Sequence, residues 1–276
     1  MDIQWPLVLF TVLNGIGGWL IAGASLNEFT QKAKKPDVRM IALVLGIILV
    51  IVAGICSAFH LSHPERMMNA LSHPTSGIFV EALLTGLLAL ATIIYIVLIK
   101  RNASQSAIKV IAIIAGILGI VLPAATGCSY LMEGRPGWDT PLFPLACIAT
   151  TGVSGLSVYL TILAVKHDED DAIVQNARIV MWFGIASIVL SIIWACSNGS
   201  AFGAYAALFW IGVVCIGGVI PTICAGMAMR GGNRQALSTA AAVTSIVGSF
   251  AFRCFMWLMG TGVLLLIGNG NWFGQI

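Results

Sequence analysis

The chain has 276 residues, of which 59% are apolar and only 9% charged, with a net charge of +3. A soluble domain carries about 25% charged residues, so a soluble globular fold is excluded, and the composition directs the chain to a lipid bilayer rather than to nucleic acid. It is predicted to be an all-α integral membrane protein, a single unit over residues 1–276 in which length counts spans.

A hydrocarbon core about 30 Å thick needs about 20 apolar residues of helix, with every backbone group satisfied inside the segment. The apolar runs are too long and continuous for the alternating strands of a barrel. Eight spans are predicted, at about 5–27, 39–61, 77–99, 107–127, 141–165, 177–197, 204–229 and 238–267. The first has no basic segment before it and is too long for a signal peptide, so it reads as a retained helix. The second carries no charge over its apolar core, then runs into "AFHLSHPERMMNALSHP", which holds three of the four histidines: His60, His63 and His73. The third span carries Glu81 about one turn inside its start. "EGRPGWDTP", with Arg135, breaks the fourth span from the fifth, and "KHDEDDA" follows the fifth. The acid run Asp168 to Asp171 reads as a solvated turn. "NGIGGW", "GVSGLS" and "CIGGVIP" read as sites of close helix packing. The eighth span contains Arg253 in "SFAFRCFMWLMG".

Lysine and arginine counts set the orientation. The connections after spans 1, 3, 5 and 7 hold 11 of them, and those after spans 2, 4 and 6 hold only 2, Arg66 and Arg135. The basic side is predicted to be cytoplasmic, with both termini and the histidine cluster on the outer, periplasmic side.

A titratable cluster at a helix end suits quinol oxidation, which releases two protons and two electrons. Histidine, with a pKa near 6.5, can hold and deprotonate a ring hydroxyl. His60 is the predicted group, Glu81 could pass protons to the outer water, and Arg66 could steady developing negative charge or a partner protein. The plainer alternatives are a helix cap at His60, an interfacial anchor at Arg66 and a helix-dipole contact at Glu81. Arg253 costs about 2.5–3.5 kcal/mol at a span centre, so a buried partner is expected, either a quinone oxygen or Glu81. No two histidines fall on facing spans, so no haem is expected. The seven cysteines stand singly, without the spacing of an iron–sulfur cluster. "GMAMRGGN" lacks the features of a phosphate loop.

The chain also resembles the membrane anchor subunits of dimethyl sulfoxide reductases. "HLSHPERMMNAL" is similar to that family's H-L-x-x-P-x-R-x-x-N-x-L, on His60, Leu61, Pro64, Arg66, Asn69 and Leu71. Glu81 resembles the glutamate that follows, and "WPLVLFTV" resembles the family's opening. Gly248 and Arg253 are similar to a G-E-x-x-x-R pattern followed by aromatics such as Trp257, with Ser249 where the glutamate would stand. The resemblance implies a multi-pass anchor in a bacterial cytoplasmic membrane that oxidises menaquinol near the outer face, with the histidine matching His60 as the catalytic group. His60, Arg66, Glu81 and Arg253 would bind the quinol, and Pro64, Arg66, Asn69 and Arg135 would face a partner. It implies an iron–sulfur subunit bound to a molybdopterin catalytic subunit, which selects the terminal acceptor. Haem, iron–sulfur cluster and molybdopterin are expected to be absent from this chain, and no metal site is expected in it. The alternatives are a small-molecule transporter and a passive anchor without quinol chemistry.

Overall fold

The computed structural model describes residues 3–30, 32–59, 72–197 and 203–260. Among these it forms eight helices long and apolar enough to cross a membrane, and no strand. They are α1 (Trp5–Thr30), α2 (Pro36–Ala58), α3 (Gly77–Lys100), α4 (Gln105–Cys128), α5 (Leu142–Val165), α6 (Asp170–Ser197), α7 (Leu208–Met229) and α8 (Arg234–Met259). The predicted count holds. The largest departure at a helix start is α6, which begins at Asp170 rather than near 177, because acids in a first turn favour the positive end of the helix.

Local chemistry sets the helix ends. Pro36 opens α2, where its missing N–H costs nothing. Ser76, Ser104 and Asn233 cap α3, α4 and α8 by accepting from the N–H groups of Phe79, Ala107 and Ala236. At the other ends, α3, α5 and α7 each close on a left-handed residue: Asn102 (φ 49°), His167 (φ 50°) and Gly231 (φ 90°). In each case the next N–H reaches back five residues, as Asp168 does to the Leu163 carbonyl at 3.0 Å. In α7, Leu208–Val219 winds with π-helical turns ahead of Pro221. Proline cannot bond the carbonyl four residues back and clashes with it, and a wider turn upstream relieves the clash.

Helices α1 to α4 form one up-and-down bundle and α5 to α8 a second with the same neighbour order. Helices α1 and α5 join them at the centre. The apolar windows of α1 and α5 are 83% and 72% buried, against 22% for α3. The outer helices carry exposed side chains such as Ile51, Leu90, Ile117 and Ile211, the lipid-facing belt of a membrane protein.

The glycine motifs serve close packing, as predicted. A Cβ on Gly18 of α1 would lie 2.4 Å from the Gly119 carbonyl oxygen of α4. A Cβ on Gly248 of α8 would lie 2.0 Å from the Gly217 Cα of α7. No larger residue fits either crossing.

All the basic residues of the 11-residue set sit at one end of the bundle, where α1, α3, α5 and α7 finish. In the acid run at this end Glu169, Asp170 and Asp171 are exposed, as expected of a solvated turn, but Asp168 is not. Asp168 is 6% exposed and accepts from the backbone N–H groups of Lys34 (2.9 Å), Lys35 (3.3 Å) and Glu169 (2.7 Å). The α1–α2 turn leaves the Lys34 and Lys35 N–H groups without helical partners, and the Asp168 carboxylate supplies one. Asp170 pairs with Arg234. Glu28, 4% exposed near the end of α1, pairs with Arg39 of α2. It also accepts from Tyr95 of α3 at 2.8 Å and Gln105 of α4 at 3.2 Å, so one carboxylate ties four helices.

Candidate functional site

At the opposite end, where α2, α4 and α8 finish and α1, α3 and α5 start, the helices enclose a cavity of about 410 Å³. Small-molecule sites span about 300–1,000 Å³. Helix α3 contributes Glu81, the residue just past α4 is Ser129, and the α4–α5 connection adds Tyr130, Arg135 and Trp138. Helix α8 contributes Trp257.

Glu81 is half-buried, one turn inside the capped start of α3. The Ser129 hydroxyl lies in hydrogen-bond contact with its carboxyl group and also reaches the Ala125 carbonyl at 3.0 Å. Glycine at 77 lets α3 approach this closely, since a Cβ there would come within 3.0 Å of Ser129. A carboxylate with one hydroxyl partner beside an apolar cavity can accept a hydrogen bond or a proton from a bound molecule.

The α4–α5 connection folds back over the end of α8. The Trp138 indole donates to the Met256 carbonyl at 2.9 Å, and the Arg135 guanidinium donates to the Gly260 carbonyl at 2.9 Å. Arg135 also stacks on the Trp138 ring, 4.4 Å from its centroid. A side chain at 260 would strike that ring at 2.5 Å, so glycine closes the clasp. Trp257 meets Trp138 edge to face at 5.1 Å. Behind this wall a second aromatic layer, Phe143, Trp194, Phe252 and Phe255, packs the end of the second bundle.

Of the predicted site residues, Glu81 and Arg135 come together on the cavity wall. His60, Pro64, Arg66 and Asn69 lie outside the described residues. Ser57 and Ser76, described residues on either side of that segment, both line the cavity. Arg253 is 2% exposed and does not pair with Glu81 as expected. Its guanidinium touches the buried Cys147 thiol and sits 5.5 Å from the Phe252 ring centroid, one turn from Trp257 along α8. Ser249 bonds the Ser154 hydroxyl at 2.8 Å and the Thr150 carbonyl at 2.9 Å, a seam between α5 and α8. A glutamate there would have to fit where two hydroxyls now meet. Sequence reasoning did not single out Tyr130, Ser129 or Trp138. The only signal was the tryptophan in "EGRPGWDTP", a stretch that reads as a break.

A second cavity, of about 490 Å³, lies at the basic end between the turns at His167 and Gly231. It is walled by surface turns with Asp170 and Arg234 already paired to each other. Among the described residues no three His, Cys, Asp or Glu side chains gather as a metal site would require.

Eight apolar helices with an outward-facing belt define a multi-span membrane protein, with a cavity that carries Glu81 at one end of the bundle. The family model described as DMSO reductase anchor subunit (DmsC) matches residues 1–202, and the chain belongs to that family. It is therefore a membrane anchor of a DMSO reductase-type complex, associated with that complex's catalytic subunits, and the transporter alternative gives way to this reading. The match ends before α7 and α8, so the Gly248–Arg253 motif lies beyond it. No curated protein sequence matches the chain.

Proposed function

We propose that this chain oxidises menaquinol at the cavity between α1, α3, α4 and α8 and hands the electrons to an iron–sulfur partner. That subunit in turn serves a molybdopterin catalytic subunit in anaerobic respiration. The observation that carries the proposal is the coincidence of Glu81, an aromatic wall and both flanks of the His60-containing segment at one cavity. A planar ring with two hydroxyls needs apolar faces to lie against and polar groups at its edges. Leu7, Ile78 and the rims of Trp138 and Trp257 offer apolar lining, and His60 and Glu81 offer proton acceptors. Each ring O–H that breaks gives its proton to such an acceptor, and the electron pair leaves to the partner. The cavity end is the periplasmic face of a bacterial cytoplasmic membrane on this reading, because the basic residues gather at the other end. Arg135, Pro64, Arg66 and Asn69 face the partner subunit.

The test is His60→Ala in the assembled complex. Subunit composition and reduction of the terminal acceptor by a soluble dye should persist, because the dye feeds the partner directly. Menaquinol-driven turnover should fall by about 10²–10⁴-fold, the usual contribution of a positioned acid–base group. Unchanged menaquinol turnover would leave His60 as a helix cap, and lost assembly would move its role to docking.

A further inference from the structure

We infer that Tyr130 is a hydrogen-bonding residue of the quinol site, donating its phenolic O–H to a ring oxygen, with the charge of Arg253 acting on that O–H. The inference rests on the quinol reading above and adds a group that neither the sequence motifs nor the family's description supplies.

The first observation is the state of the three buried or half-buried tyrosines. Tyr95 donates to Glu28, and the Tyr159 hydroxyl is sealed in the interior without a partner. Tyr130 lines the cavity, and among the described residues its hydroxyl has no hydrogen-bond partner, yet it is not one of the sealed atoms. Its O–H is therefore open to the cavity. The second observation is rigidity. The ring is held edge to face by Trp138 at 5.5 Å, Phe143 at 6.1 Å and Trp257 at 6.2 Å. A phenol braced on three sides keeps its donor aimed without an entropy cost at binding.

The third observation is charge. The phenol lies within electrostatic reach of both the Glu81 carboxyl group and the Arg253 guanidinium. Arg253 has a buried Nε without a hydrogen-bond partner and makes no ion pair among the described residues. Its charge, without an ion-pair partner and within electrostatic reach of the phenol, strengthens the O–H as a donor to an oxygen bound in the cavity. Burial, then the neighbouring Glu81, push the Tyr130 pKa above its ordinary value, with Arg253 opposing them, so the group stays a donor and is not a base. The division of labour follows. His60 and Glu81 accept the two protons as the ring O–H bonds break, and the two electrons pass to the partner's iron–sulfur cluster. Tyr130 keeps its own proton throughout and stabilises the negative charge that builds on the ring oxygen.

The test compares Tyr130→Phe, Arg253→Leu and the double variant in the purified complex, with a short-chain naphthoquinol as donor and a soluble dye as control. Tyr130→Phe retains the edge-to-face packing, so thermal stability and dye-driven turnover should match the parent. Quinol-driven kcat and kcat/KM should fall together, by about 10–100-fold, as for loss of a donor to developing charge. Arg253→Leu should lower the same two constants, and the double variant should lose little more than the larger single loss, because both act through one O–H. Parent-like quinol kinetics in Tyr130→Phe, or fully additive losses, would overturn the inference. His60→Ala distinguishes the two levels. Collapse there with normal Tyr130→Phe rejects only the role of Tyr130, whereas normal turnover in both rejects the quinol site itself.

Discussion

Glu81 and Arg253 were legible because a charge inside an apolar run has few structural explanations. Their partners were not. Tyr130, Trp138 and Ser129 sit in a connection near a membrane surface, where aromatic and hydroxyl residues are common whatever they do. The pairing of Arg253 with Glu81 was a fair reading of burial cost, but the tertiary structure puts the arginine on the Cys147 thiol, and Tyr130 lies within electrostatic reach of both charges. Glu81 itself gives the residue-scale prediction. Glu81→Gln keeps the shape and the contact with Ser129 but cannot take a proton. Menaquinol turnover should fall by about 10²-fold or more with dye-driven activity intact, measured on membranes holding the assembled complex. A variant with parental quinol kinetics would assign the proton to another group.

Helices were the most legible elements, since eight apolar runs and their turn residues could be placed from composition and capping chemistry alone. The ties between them were less so. Glu28 lay just past the predicted first span, among residues that looked like a polar connection, yet α1 continues to Thr30 and buries it. The carboxylate holds Arg39, Tyr95 and Gln105 from three other helices. Glu28→Ala should leave the half-buried Arg39 without its carboxylate and orphan two further donors, Tyr95 and Gln105. Breaking a buried ion pair costs about 3–5 kcal/mol, and thermal unfolding in detergent should show a marked loss. Glu28→Gln, which retains an acceptor for Tyr95, should lose less. Equal losses would show that packing volume, and not the hydrogen-bonded charge, is what matters there.

The whole molecule is two four-helix bundles with the same up-and-down order, so each half begins and ends at the cavity end. On the proposed reading, the Lys/Arg imbalance of 11 to 2 assigns that end to the periplasmic side. A periplasm-active reporter fused to Ile276 should be active and a cytoplasm-active one silent. The reverse result would invert the placement of the cavity and remove its access to a partner on the outer surface. The span count and the basic end were readable from the sequence. The same neighbour order in the two halves was not, because it is written in helix contacts between residues far apart along the chain.

The two halves are fastened unevenly. At the basic end Asp168 of the second half grips the backbone of Lys34 and Lys35 in the first, and Lys166 reaches Asp37 at 2.9 Å. At the other end the cavity lies between Glu81 and Ser129 on one side and Trp257 with its clasped loop on the other. The arrangement is that of a pair of tweezers, riveted at the handle and open at the tips. Any rocking of one half against the other is therefore least at the basic rivet and larger at the cavity end, where apolar and aromatic packing joins the halves among the described residues.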